Sequence, residues 1–342
     1  MSRVSVRRVC VLVAVLWLLP GCGLVDAGRG VAVQRLGRQT SPAPGPLSPA
    51  QAAQVTLRTW SGVVDAESAL DEGQLGAVET EPQLTLDRVS LAQQRQTGTT
   101  PGRWTPAATV EEAHAVGPPG QAGSIVARIS TAWSSGSQPL DTLAVLTQAG
   151  TGGAWKLAWS ADGVASREQL AAAARPLGQL DRASARQLLV QPDELAGAYA
   201  GYLAGGEGPF APGLLTTQQR DGLAESRAAY TQKGAGWDFT AVPSDAVQAY
   251  RAADGGGIVF FELAAREHLA THGAVCLQQD QGRANYGPSV TPGSYDELTR
   301  EVRGPMVALV PKRGSSAQVV IVAGYVLRTG SSTKPSTDPR CI

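Results

Sequence analysis

The period of the hydrophobic pattern changes from helical to extended, and it does so twice along the 342 residues. Residues 48–64 read as a helix. Ser48 caps it, Pro49 suits its first position, and Gln51 completes a capping box. Ala53, Leu57, Trp60 and Val64 then recur at helical spacing on one face. Gly62 weakens this helix by up to ~1 kcal/mol relative to Ala, and Gly73 is its expected stop. Over 84–160 the pattern turns strand-like. Residues 124–133 and 141–147 are β-rich runs split by a Ser/Gly/Pro turn. Trp155, Leu157 and Trp159 alternate with Lys156, Ala158 and Ser160, which predicts a half-buried strand with both tryptophans on one face. Exposed, that face could stack on sugar rings; the clean alternation favours core.

The second half restarts with helices. A capping box from Ser166 to Gln169 opens a short one before Pro176, and 181–190 is predicted helical, so 161–190 reads as a bridge. Pro192 begins another helix with Leu195, Tyr199 and Tyr202 on a face and Gly205 as its stop. Thr216 and Gln219 form a further possible capping box for a helix through Tyr230 to Gly234. Strands follow at 237–242 and 247–251. Asp254-Gly255-Gly256-Gly257 is a hairpin signal leading into 258–263, and 306–310 and 319–327 flank a turn at 311–314. The class is therefore α+β: two tandem helix-then-antiparallel-sheet modules, 48–160 and 191–330, followed by a polar tail, 331–342.

The N-terminus reads as an export signal. Arg3, Arg7 and Arg8 precede an apolar run of 11 residues, Val9 to Leu19. A bilayer span needs about 20, so a cleaved h-region fits and a retained transmembrane helix does not. Leu19-Pro20-Gly21-Cys22 resembles the lipobox of bacterial lipoproteins, with Pro20 departing from the usual residue at its position. The resemblance implies cleavage after residue 21 and a lipid on Cys22, with lasting attachment to the outer face of the cytoplasmic membrane. Two or more chains are needed for stable anchoring, at ~0.8 kcal/mol per buried CH₂. The alternative is an ordinary secretory signal with a chance cysteine. The export route, general or twin-arginine, stays open. Residues 22–47 are rich in Gly, Arg and Pro and read as a flexible tether.

Without the signal, 26 basic residues face 29 acidic ones, so no electrostatic footprint for nucleic acid is expected. Cys10 would leave with the signal and Cys22 would carry lipid. Cys276 and Cys341 remain, and outside the cytoplasm they would form one disulfide or stay as two free thiols.

The sequence of lipobox, proline-rich tether, two helix-then-sheet halves and Ala253-Asp-Gly-Gly-Gly257 hairpin is similar to a group of actinobacterial secreted lipoproteins. The Ala and Gly richness and the presence of only four lysines agree with a high-GC source. The two halves also resemble cystatin-like or nuclear-transport-factor-two-like modules. The resemblance implies location and fold, and no activity.

The candidate chemistry is sparse. His268 and His272, with Glu262 and Glu267 nearby, could grip one zinc if their segment were helical; otherwise they are surface histidines. Glu111, Glu112 and His114 could do acid–base work or form a solvated face. No Gly-x-Ser-x-Gly elbow accompanies the three histidines. Gly152-Gly153 and Gly255-Gly256-Gly257 read as turn glycines, and Tyr199, Tyr202 and Tyr230 could line a pocket between helix and sheet. No catalytic, metal or cofactor-binding residue is assigned, and no cofactor is expected. The favoured reading is a non-enzymatic membrane-anchored module that binds an envelope protein or small ligand or serves in envelope assembly. The alternative is an envelope hydrolase using Glu262, Glu267 and His268.

Overall fold

The computed structural model describes residues 47–97, 107–117, 123–132, 139–150, 152–242, 244–277 and 293–336. The class is α+β, with helices preceding antiparallel sheets. Residues 1–21, the lipobox cysteine Cys22, most of the tether and Cys341 lie outside the described residues, so the signal and lipid-anchor expectations and the disulfide partner lie there too.

Three helices lead: α1 (Pro49–Ser68), α2 (Glu72–Val78) and α3 (Gln83–Thr97). The Ser48–Gln51 capping box forms as expected, with both reciprocal bonds present. The buried face is one residue away from the expected one: Ala52, Thr56, Thr59, Val63 and Ala66 point inward, while Leu57 is 42 % exposed. Small and β-branched residues let α1 lie close to its neighbours, and the Thr56 hydroxyl is satisfied by donating to the Ala52 carbonyl at 2.9 Å. At Gly62 a Cβ would come within 2.9 Å of Val78 Cγ1, so this glycine permits the approach of α2. The helix stops at Ser68, before Gly73, and Leu70 takes the left-handed conformation, φ 53°.

A four-stranded sheet follows in the order β1 (Ala107–Val116), β2 (Ser124–Ala132), β3 (Leu140–Gln148), β4 (Trp155–Asp162), all antiparallel. The expected strand pattern from residue 84 is corrected at its start: 83–97 is helix α3, whose buried Gln83, Leu86, Asp87 and Leu91 follow a helical period. The shared face of Trp155 and Trp159 is corrected as well. Register slips between Val145 and Leu146 against β4, leaving Ala158 as the extra residue of a bulge. Leu157 and Trp155 therefore face the helices, while Trp159 turns to the opposite core.

The connecting region holds α4 (Arg167–Ala173), a two-residue strand β5 (Gly178–Gln179) and α5 (Arg182–Ala185). The helix expected over 181–190 shrinks to this single turn, because the chain then bridges to Lys312 through Leu188. Next come α6 (Pro192–Leu203), a π-helical turn (Leu214–Gln218) and α7 (Gln219–Gln232). Thr216 does not cap α7; its hydroxyl donates to the Ala211 carbonyl at 2.6 Å.

The second sheet is built on one long hairpin, β8 (Gly257–Leu277) and β9 (Gly293–Val310). β7 (Val247–Arg251) and β6 (Ala235–Ala241) pair with successive stretches of β8. β10 (Val320–Gly324) and β11 (Leu327–Pro335) do the same along β9, and β5 extends the sheet beyond β7. Residues 331–335 thus belong to a paired strand, where a polar tail was expected. The step from β10 to β11 passes directly over Gly304, where a Cβ would overlap the Tyr325 carbonyl oxygen.

The layers stack helix, sheet, sheet, helix. One core lies between α1–α3 and the first sheet, a second between the two sheets with α4 at its edge, and a third between the second sheet and α6. The middle core joins Val126, Val145 and Trp159 to Tyr250, Phe260 and Val307. The described residues, 47–336 with the gaps given above, all fall within one compact unit.

Candidate functional site

Along β8 the side chains alternate between the middle core and the α6 core, and this alternation builds the site. Ile258 and Phe260 face the first sheet, whereas Val259, Phe261 and Leu263 face α6. Glu262 continues the first set, beyond the edge of the covering sheet. It is only 4 % exposed, yet it lines an open cleft of about 660 Å³ between the two sheets. Across the sheet, Arg303 on β9 points to the same side. Its Nη1 donates to both Glu262 carboxylate oxygens at 3.4 Å. The Ser244 hydroxyl donates to Glu262 Oε2 at 2.6 Å. A buried carboxylate thus fixes an arginine whose side chain is 38 % exposed. An unpaired charge at position 262 would be expensive to bury, so the two residues hold each other.

The roof of the cleft comes from Thr147 and Trp159 of the first sheet, and one wall from Thr80, Glu81, Pro82 and Thr85 at the α2–α3 connection. That wall stands in front of a buried acidic group. Glu79 is 0 % exposed and Asp87 is 8 % exposed, and they face each other. Neither Glu79 oxygen meets a hydrogen-bond donor among the described residues. Burial first, and the Asp87 charge second, push the Glu79 carboxyl up to about 11. Burial, then Asp87, raises Glu67 on α1 to about 7. Asp87 is itself raised by burial, partly offset by bonds from its neighbours. Gln83 ties the group together: its amide nitrogen donates to Asp87 at 2.9 Å and to the Tyr325 hydroxyl at 3.0 Å, and its oxygen accepts from the Ser160 backbone at 2.9 Å. Two carboxyls in this setting do not both ionise, and a proton held between Glu79 and Asp87 is what allows them to be buried together.

The structure separates Glu262, Glu267 and His268, which the sequence brackets as one set. Glu267 falls on the α6 face of β8, where the Arg300 guanidinium lies 2.6 Å away. His268 returns to the Glu262 face but lies beyond the first sheet, half-exposed beside Glu297. The helical premise for a His268–His272 zinc site also fails, since β8 is extended throughout. Four strand residues place the two Cα atoms ~13 Å apart, and the side chain of His272 is outside the described residues. Among those residues no group of three His, Cys, Asp or Glu is placed to hold a metal.

Glu112 is held by Arg175 through two bonds of 2.8 and 2.9 Å and by Arg128 at 3.5 Å, as a clamp between α4 and the first sheet. Glu111 points outward. Tyr199 and Tyr202 pack on Phe210 inside the α6 core, and Tyr230 lies partly buried against that core. Gly152 and Gly255 are turn glycines, both at φ 81°. Ser244, Arg303, Glu79 and Asp87 escaped the sequence reading. The last two carried a signal, since Glu79, Gln83 and Asp87 recur every four residues.

No helix among the described residues is long and apolar enough to cross a membrane. No protein of curated function matches the chain in sequence. A family model for a domain of unknown function, DUF8094, matches residues 44–331, and the chain belongs to that family.

Proposed function

We propose that this chain is a lipid-anchored extracytoplasmic binding protein of actinobacterial type, held through Cys22 to the outer face of the cytoplasmic membrane. The 22–47 tether carries the folded part away from the surface, and the cleft between the sheets takes a small ligand. The observation that supports this reading is the cleft itself. It has the volume of a small-molecule site, and a buried carboxylate positions a half-exposed guanidinium inside it.

The test is recovery of the native protein from its own membranes in mild detergent, followed by mass spectrometry. Covalent lipid should be found on Cys22. A small molecule should be retained by the wild type and lost from Thr85→Trp, which places an indole on the exposed rim of the cleft. Membrane release of the wild type would defeat the anchoring part. Protein that is bare, or that keeps its ligand in Thr85→Trp, would defeat the cleft as the binding site.

A further inference from the structure

The cleft wall and the buried acids belong to one piece of chain. Glu79 ends α2, Asp87 lies in the second turn of α3, and the wall residues Thr80, Glu81, Pro82 and Thr85 fall between them. On one side this segment meets the open cleft, where Glu81 and Thr85 are exposed; behind it Glu79 and Asp87 are buried. Among the described residues it is held down by the Thr80 backbone N–H, which donates to the Leu157 carbonyl at 2.9 Å, and by Gln83, which reaches Ser160 and Tyr325. Glu67, in the last turn of α1, completes the acidic group.

The charges that act on this group are of one sign. Asp87, Glu67 and Glu81 act on Glu79, and Asp87 acts on Glu67. The Tyr325 hydroxyl faces the group from the β10–β11 crossing, with Asp162 of β4 acting on it in turn. The cations beside these helices are engaged elsewhere. Lys156 donates to the Gly76 carbonyl at 2.6 Å, Arg88 also lies by Gly76, and Arg95 meets Glu72 and the Leu70 carbonyl. While a proton is held between Glu79 and Asp87 the group carries one negative charge there, and a second would sit beside it without a cation. Glu67 supplies that second charge near neutrality, since burial first and Asp87 next raise its carboxyl to about 7. The wall separates Glu79 from the cleft, so displacing the wall is how this carboxylate reaches water.

We propose that Glu67, Glu79 and Asp87 form a proton-operated latch on the cleft: in acid they hold residues 80–85 against β4, and as they ionise the wall lifts and releases the ligand. This rests on the cleft being the ligand site. The sign follows from burial. The closed wall keeps the acids protonated and the open wall lets them ionise at their ordinary value, so closure is strongest below about pH 4.5 and weakens as pH rises. Each proton released on opening lowers the ratio of closed to open about tenfold per pH unit. Glu67 acts in this way up to about pH 7, and Glu79 continues beyond it.

The test is hydrogen exchange of the detergent-solubilised full chain between pH 6 and pH 8, with each rate divided by the intrinsic amide rate at that pH. In the wild type, protection of the amides of 80–87 should fall at least about tenfold per pH unit. Glu67→Gln combined with Glu79→Gln leaves Asp87 ionised in both states, and the fall should be lost. Equal wild-type protection at pH 6 and pH 8, or the same fall in the double variant, overturns the latch. The second readout is the ligand retained from native membranes. The wild type should keep it at pH 6 and shed most of it at pH 8, and the double variant should keep it at both. If the wall loosens but retention is the same at both pH values, the latch is overturned, and loss of the ligand in Thr85→Trp then leaves the cleft standing as the site. No retained ligand at either pH, or one kept in Thr85→Trp, removes the cleft reading and the latch with it.

Discussion

Replacing Glu79 by Gln should stabilise the protein at alkaline pH and give no gain, or a modest loss, in mild acid. Glu79 is fully buried among Glu67, Asp87 and Glu81, with its carboxyl raised from 4.5 to about 11. The folded state therefore binds a proton that the unfolded state releases above its ordinary value. Stability from this group is complete below pH 4.5 and is lost as pH rises toward 11. At 1.36 kcal/mol per pH unit, holding that proton at pH 8 costs about 5 kcal/mol. Gln has the same shape and no proton to hold, but leaves a buried amide incompletely satisfied, which costs about 1–3 kcal/mol. The net gain at pH 8 is then about 2–4 kcal/mol, and at pH 5 the variant ranges from neutral to about 2 kcal/mol less stable. The measurement is thermal unfolding of both proteins at intervals from pH 5 to pH 9. The stability difference should grow by about 4 kcal/mol between pH 5 and pH 8. A difference that stays constant across the range, or a wild type that gains stability on the same rise, would show that Glu79 is not buried as a neutral acid.

Other perturbations probe the layers. Gly304→Ala drives a methyl into the Tyr325 carbonyl where the chain crosses from β10 to β11; a loss of about 3 kcal/mol or more is expected in denaturant unfolding. Arg300→Met strands Glu267, 9 % exposed, and should destabilise by about 3–5 kcal/mol, with the double change Arg300→Met, Glu267→Leu recovering most of it. Trp159→Ala empties the middle core against Phe260, 6.4 Å away between ring centres, and should cost about 3–5 kcal/mol; a surface-sized effect would mean that the two sheets do not share a core. If Cys276 and Cys341 are bonded, thiol titration of the unreduced, unfolded chain should find neither free, and Cys276→Ser should lose about 2–4 kcal/mol.

Much of the fold is legible in the residues, for identifiable reasons. The Ser48–Gln51 cap, the α6 face of Leu195, Tyr199 and Tyr202, and the Gly255 hairpin rest on local chemistry, which tertiary context does not override. The misreadings came where context decides. Leu57, Trp60 and Val64 look like a buried stripe, but α1 packs closely through Ala52, Thr56 and Val63, one position away. The bulge at Ala158 turns Trp159 to the other core, and nothing in an alternating string announces an inserted residue. α3 was hidden because its buried face carries Gln83 and Asp87, polar residues that a hydrophobic period does not count. The cleft was the least legible part. Glu262 stood out as a carboxylate near histidines, yet its partners Ser244 and Arg303 come from elsewhere in the chain and meet it only through the pairing of β8 with its neighbours. Glu267, adjacent in the sequence reading, lies on the far side of the sheet by the same alternation.

The most direct measurement compares wild type with Thr85→Trp and Gln179→Trp, both exposed positions on the cleft, in native mass spectra of protein recovered from its own membranes. A cleft that binds a ligand predicts one retained small molecule on the wild type and a clear loss of it on both variants, with folding unchanged by circular dichroism. Equal occupancy on all three proteins, or none on the wild type, would contradict it.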